Sequence, residues 1–490
     1  MMPIQANLYA GWRRQAFAAP VLREGDSASP PPERLLQAVW HHQRLRRDQL
    51  QTLDGRRLQV LHPGFWNREA GPDFRGAVLQ FDADQPRTGD VEIDLRPADW
   101  HGHGHDRNPA FQNVLLHVVG DRPDSASQPS LSLKGVLDSP VSELGEWLGS
   151  EAARQTPAGI EGRCAAPLKE LPAETLDELL RQAARCRLQA KAALLQARAR
   201  QAGWEQALRE GLFRALGYKQ NVWPLQRLAE ITGGLLAGQP AARATAFDWQ
   251  ARLLGLAGLL PAELPRAASG IGAYLRRAWD FWWRERDQFA DSVLPREAWR
   301  FHGLRPANHP QRQLALAGHW LARTDLFAQL EKWFVTEVPE RLLVDSLHEI
   351  LQAPGDDFWS WHWTLNSARM AKPQLLLGAT RVTDLAVNVI LPWFWVRAVA
   401  GGNETLRQVA EARYYLWPAA EDNAALRFAR QRLLRGAGPR TLRTAARQQA
   451  LLQIGRDFCE HSNAVCEQCP FPDLVRRCGD GSGREASSGC

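Results

Sequence analysis

The sequence predicts an α+β protein: a small mixed-sheet α/β domain near the N-terminus, then a large all-α region, then a Cys-rich metal loop. Three observations predict this. Short apolar runs recur between residues 58 and 138, each bounded by Gly, Pro or Asp, which is strand and turn chemistry. From about residue 160 the apolar residues switch to helical spacing, in segments rich in Ala, Leu and Arg. Cys459, Cys466, Cys469 and Cys478 then cluster near the C-terminus.

Residues 1–30 read as an N-terminal extension that runs into the Pro-rich stretch "GDSASPPPE". "ERLLQAVWHHQRL" follows, with apolar residues at 35, 36, 39 and 40, the spacing of a helix. "GRRLQVLHPG" reads as a strand stopped by Pro-Gly, and "GAVLQFDA" and "DVEIDL" as two more. "NVLLHVVGD" is almost continuously apolar, as a strand at a sheet centre would be, and "LSLKGVLD" is a further strand candidate. Helix, strands, an irregular segment and a last strand together predict an α/β domain over residues 31–145. The helical domain spans 160–455, with breaks at "GYKQNVWP", "GLLPAELP", "GLRPANHP" and "WPAAEDN". A Cys-rich loop takes 456–480, and residues 481–490 form a polar tail with disorder-type composition. No fixed-period repeat is visible.

Composition bounds the function classes. The chain has 490 residues, is 44% hydrophobic and 23% charged, and carries a formal charge of +6. That is an ordinary globular composition. No run of about 18 apolar residues exists, so no membrane span is expected, and the N-terminus lacks the apolar core of a signal peptide. A cytoplasmic location is the expectation. The positive charge is nearly all Arg, which suits phosphate contact, although a GC-rich gene gives the same bias. Nucleic acid is permitted as a partner, not demanded. The 20 Trp residues fall mostly in the helical part, where a Trp is more often core than a base-stacking platform. No phosphate loop, dinucleotide fingerprint or Ser-His-Asp elbow is present.

The chemistry concentrates between residues 71 and 121. Glu92 and Asp94 alternate in an apolar strand and so share one face, and half-buried carboxylates are costly unless paired or bound to a metal. Glu33 opens the first helix, and Asp73 follows Pro72 at the head of the preceding strand. This order resembles the PD-(D/E)xK nuclease-like superfamily, with Asp73 and Glu92 at its acidic positions. The resemblance implies a Mg²⁺ or Mn²⁺ ion held by Asp73, Glu92 and the Ile93 carbonyl, activating water against a phosphodiester. The family's Lys position holds Asp94, a departure. Arg96, further along the same face, supplies a positive group but a poor proton acceptor, and Asp94 is an alternative third ligand. The plain alternative is a turn cap at Asp73 and surface ion pairs at Glu92 and Asp94.

"DWHGHGHD" adds His101, His103 and His105, with His117 in the next strand. In an extended chain the three alternating imidazoles would face one way, as metal ligands or phosphate contacts. Gly102 and Gly104 loosen that geometry, and a polar surface loop is the other reading. "PGFWNREAGPDF", "GDVEIDLRPADWHGHGHD" and "NVLLHVVGD", with "GYKQN", "RPANHP" and "CEHSNAVCEQC", resemble the bacterial domain of unknown function 2851 family over about residues 31–470. That family usually shows Glu-x-His at the strand, where this chain has Asp94. The resemblance implies one architecture rather than a fusion, and no activity.

Cys459, Cys466 and Cys469 match the spacing in the iron–sulfur loop of endonuclease III-like glycosylases; Cys478 falls later than that loop's fourth Cys. Four thiolates can enclose Zn²⁺ or a [4Fe–4S] cluster, with His461 a possible replacement in a zinc site. Reduced buried thiols are the alternative. Three functions compete: a metal-dependent nuclease acting on DNA or RNA; a non-catalytic nucleic-acid-binding or scaffold protein with a degenerate nuclease fold; and a His-dependent metal hydrolase. The sequence leaves the oligomeric state open.

Overall fold

Strand-forming sequence meets turn-forming sequence at regular intervals in residues 58–132, and the result is one mixed sheet of six strands. These are β1 (Leu58–His62), β2 (Phe65–Trp66), β3 (Phe74–Phe81), β4 (Arg87–Asp94), β5 (Val114–Val119) and β6 (Ser130–Ser132). The computed structural model describes residues 7–16, 33–67, 71–96, 99–103, 105–120, 129–140, 144, 162–218, 220–238, 244–264, 271–301, 304–435, 442–459 and 469–479. The sheet order is β1-β3-β4-β5-β6, with β2 pairing β3. β1, β3 and β4 form an antiparallel meander; β5 and β6 run parallel to β4.

A parallel step needs a crossover of about a dozen residues or more. Residues 95–113 supply it between β4 and β5. The described part of it contains α3 (Asp99–Gly102) and two 3₁₀ turns, His105–Arg107 and Pro109–Phe111. Local hydrogen bonds explain the coiling. Asp99 accepts the Arg96 N–H at 3.0 Å, and Asn108 accepts the Ala110 N–H at 3.0 Å ahead of Pro109. The extended His segment expected above is therefore not what forms: side chains that cap turns win over alternation. Arg96 also departs from expectation. β4 ends at Asp94, and Arg96 is exposed on the turn rather than on the strand face.

The chain divides into two compact units. One is Met1–Arg44, Leu137–Leu194 and Ala386–Cys490; the other is Leu45–Val136 and Leu195–Leu385. The sheet belongs to the second. The helix α2 (Glu33–His42), which carries Glu33, belongs to the first.

Within the second unit, helices such as Trp204–Leu216, Ala246–Leu256 and Pro310–Ala322 bury Leu, Ala and Trp. Helical periodicity lapses over residues 352–378, which form turns only. Arg312 holds this stretch from the inside. Its guanidinium is 1% exposed and donates to the carbonyls of Trp359, His362, Gln374 and Leu375. The buried carbonyls of Trp359 and His362, which would otherwise be orphaned in the interior, thus find a charged donor. The helical stretch Ala379–Ala400 has the length and a mean hydropathy (1.3) compatible with a membrane span, but 78% of that window is buried inside the fold, as a core helix is.

In the first unit, α1 (Leu8–Ala16) docks through Tyr9 and Arg13. Tyr9 donates to Asp457 at 2.8 Å, Arg13 at 3.2 Å, and Gln453 at 2.9 Å. Asp457 lies in a widened π-type turn, Gly455–Cys459, that ends at the first cysteine of the cluster. Cys459 is buried; Cys469 and Cys478 are half-buried. The Cys469 thiol lies 3.8 Å from the Phe458 carbonyl, and Cys478 sits on the helix Phe471–Gly479. Burial raises the Cys478 thiol pKa. Cys466 and His461 lie outside the described residues, as does the tail.

Candidate metal centre

β4 is buried on both faces over Val91–Asp94. Val91 and Ile93 project to one side and are fully enclosed; Glu92 and Asp94 project to the other and are 7% and 2% exposed. Two desolvated carboxylates on one strand face repel each other and demand partners. The structure supplies them from three directions.

The first is β3. The backbone N–H of Asp73 donates to Glu92 Oε2 at 2.9 Å. Asp73 therefore meets Glu92 through its main chain. The second is β5, whose parallel register sets His117 beside Glu92. His117 is buried, and its Nε2 lies 2.9 Å from Asp94 Oδ2. That bond fixes the carboxylate and leaves Oδ1 to the crossover.

The third is the crossover. Its coiling brings His103 Nδ1 to 3.5 Å from Asp94 Oδ1 and His105 Nε2 to 3.4 Å from Glu92 Oε1. Ligand atoms of Asp94, His103 and His105 all lie within 4.8 Å of one another, a grouping of metal-binding side chains among the described residues. Around a tetrahedral ion with bonds of about 2.1 Å, neighbouring ligand atoms stand about 3.4 Å apart. The Asp94–His103 separation is close to that edge length. His105 Nε2 is buried and makes no hydrogen bond, an arrangement that is costly unless a further partner arrives.

Aromatic rings hold the imidazoles in place. Phe111 lies 4.0 Å from the His105 ring, and Trp100 lies 5.3 Å from His105 and 5.2 Å from His117. Burial lowers the His105 pKa, partly opposed by the Asp94 charge. The lowered pKa favours the neutral ring, the form that ligates metals. His101 takes no part: its Nδ1 turns 3.5 Å from Asp106, on the exposed side of the loop.

The fold thus gathers Glu92, Asp94, His103 and His105, brings Asp73 in by its backbone, and leaves His101 and Arg96 outside. Glu33 lies in the other unit. His117 was visible in the sequence as a polar residue inside an apolar strand. Its pairing with Asp94 depends on the parallel register, which carries no local sequence signal.

Among known proteins, the family model described as Protein of unknown function (DUF2851) matches residues 33–423, and the chain belongs to that family. No curated protein and no solved structure matches the chain.

Proposed function

We propose that this DUF2851 protein is a metal-dependent hydrolase of phosphodiesters, with a divalent cation on Asp94, His103 and His105. The observation that supports the reading is that ligand atoms of those three side chains lie within 4.8 Å of one another, and that the His105 Nε2 is buried without a hydrogen bond. A bound cation would lower the pKa of water and offset charge on the phosphate.

The chain's own residues divide the remaining work. His117 holds the Asp94 carboxylate in place. Glu92, tied at Oε2 to the Asp73 N–H, keeps Oε1 beside His105, where it can accept a proton from the attacking water. The mixed donor set favours Mn²⁺ or Zn²⁺ over Mg²⁺, because imidazole suits the transition metals and Mg²⁺ prefers oxygen. This moves the proposed ion from the Asp73–Glu92 pair to the crossover side of β4. The antiparallel meander followed by a parallel strand, with Glu92 and Asp94 on the central strand β4, agrees with a nuclease-like sheet.

The test is metal binding followed by cleavage. Mn²⁺ and Zn²⁺ affinities of the wild type and Asp94→Asn are measured by competition with a chromophoric chelator. Single- and double-stranded DNA, RNA and bis(p-nitrophenyl) phosphate are then assayed with wild type and Glu92→Gln. Asp94→Asn should lose the metal, and Glu92→Gln should lower cleavage by about a hundredfold or more. A wild type that binds no metal, or binds it and cleaves none of these substrates, refutes the proposal. Salt-dependent nucleic-acid binding without cleavage would instead support the non-catalytic alternative.

A further inference from the structure

The crossover that carries His103 and His105 is loosely tied to the sheet. Among the described residues, the backbone hydrogen bonds of 99–112 stay within the crossover. The His103 N–H donates to Asp99 at 2.8 Å, Phe111 to Asn108 at 3.0 Å and Gln112 to Pro109 at 3.3 Å. None of these reaches a strand. The polar contacts of these residues with the sheet are His103 to Asp94, at 3.5 Å, and His105 to Glu92, at 3.4 Å.

Trp100 and Phe111 are buried and pin the two ends of an arch. Between them, every described residue except His105 is exposed. The arch therefore leans inward on one imidazole. That ring is 12% exposed and lies 4.0 Å from the Phe111 ring, yet its Nε2 is buried with no hydrogen bond. Across from it stand the desolvated carboxylates of Glu92 and Asp94. An inward anchor is ordinarily apolar or fully bonded, because a buried polar atom without a partner opposes closure. A segment with few buried contacts and a solvent-facing backbone is also the kind that opens locally before the rest of a fold.

We propose that the arch between Trp100 and Phe111 is a latch operated by the cation: without the ion it lifts off β4, and ligation by Asp94, His103 and His105 closes it. The proposal rests on the reading of those three side chains as a metal centre and adds the regulation of that centre. Two ligands ride on the arch and the third on the strand. The ion therefore binds tightly to the closed form alone and draws the equilibrium toward it. Binding the ion and ordering the arch are then one event, in which the unsatisfied Nε2 gains its partner. Metal supply thus decides whether the histidines of the arch and the carboxylates of β4 form one site.

The experiment reads the arch and the ion separately. Hydrogen exchange of peptides spanning 99–112 is followed by mass spectrometry on the full chain, in EDTA and with Mn²⁺ or Zn²⁺. Metal uptake is measured in parallel by chelator competition. In EDTA the arch amides should exchange close to the rate of an unstructured peptide. At a free-ion concentration about 100 times Kd, an ion bound to the closed arch alone slows them about 100-fold, while the helix Pro310–Ala322 is unaffected. His103→Ala, at a position 56% exposed and so harmless to the fold, should lose most of that slowing. His105→Phe removes a ligand and the unsatisfied nitrogen but keeps a ring against Phe111. Its arch should exchange more slowly than the wild type's in EDTA and show no response to metal. An arch as protected in EDTA as β4 overturns the latch. So does metal uptake that leaves arch exchange unchanged, in which case the metal centre stands without its latch. If chelator competition shows uptake of neither ion, the reading of the centre fails, and the latch fails with it.

Discussion

Replacing His117 by Ala tests how the metal centre is held together. His117 touches Asp94 rather than the cation, through the 2.9 Å bond from Nε2 to Oδ2. Both residues are buried, at 3% and 2% exposure, so water cannot replace the lost donor. A hydrogen bond to a charged group contributes about 1.5–3 kcal/mol net. At about 1.4 kcal/mol per decade, its loss should weaken metal binding about 10- to 100-fold. That is also the usual cost of removing an outer-shell partner of a ligand. The assay is chelator competition with Mn²⁺ and Zn²⁺ on four variants, with thermal melts to confirm folding. His117→Ala should lose the stated affinity. His117→Gln, which keeps an N–H donor, should lose less. His103→Ala should lose at least as much as His117→Ala. His101→Ala should bind like the wild type, because its ring faces Asp106. If His117→Ala bound metal as tightly as the wild type, or His101→Ala were as damaging as His103→Ala, the assignment of ligands and support on this loop would be wrong.

Two further predictions concern stability. Arg312→Met should remove four donations to backbone carbonyls, two of them buried; at about 1 kcal/mol each, the loss is on the order of 4 kcal/mol. An unchanged thermal midpoint would show that residues 352–378 hold their turns without it. His309 caps the helix Pro310–Ala322 by accepting the Gln311 N–H, and burial, aided by Arg296, lowers its pKa to about 4. The native state therefore resists a proton that the unfolded chain takes up near pH 6.5. Stability is full above that pH and is lost as pH falls toward 4, by an amount of order 1 kcal/mol after solvent screening. His309→Asn keeps a capping acceptor without titrating. Its midpoint should gain on the wild type between pH 7 and 4.5, and parallel pH profiles would refute the assignment.

The sequence by itself determined the local pieces of this protein. Alternation in "DVEIDL" put Glu92 and Asp94 on one strand face, and the apolar run around His117 marked an inner strand. The shift to helical spacing marked the helical remainder, and the motifs pointed to the family that residues 33–423 match. These signals are legible because strand and helix periods depend only on near neighbours along the chain. Only the tertiary structure decided who meets whom. The sequence placed Asp73 and Glu92 near each other in the chain, and only the fold showed that the Asp73 backbone N–H donates to Glu92. The sequence suggested three equivalent histidines, whereas a coiled crossover sets His103 and His105 against Asp94 and Glu92 and His101 against Asp106. It gave no hint that Asn221 would clamp Arg300 across 79 positions. A parallel register, the path of a crossover and a contact between distant segments are set by how whole elements bury their apolar faces together, and no local pattern records that choice.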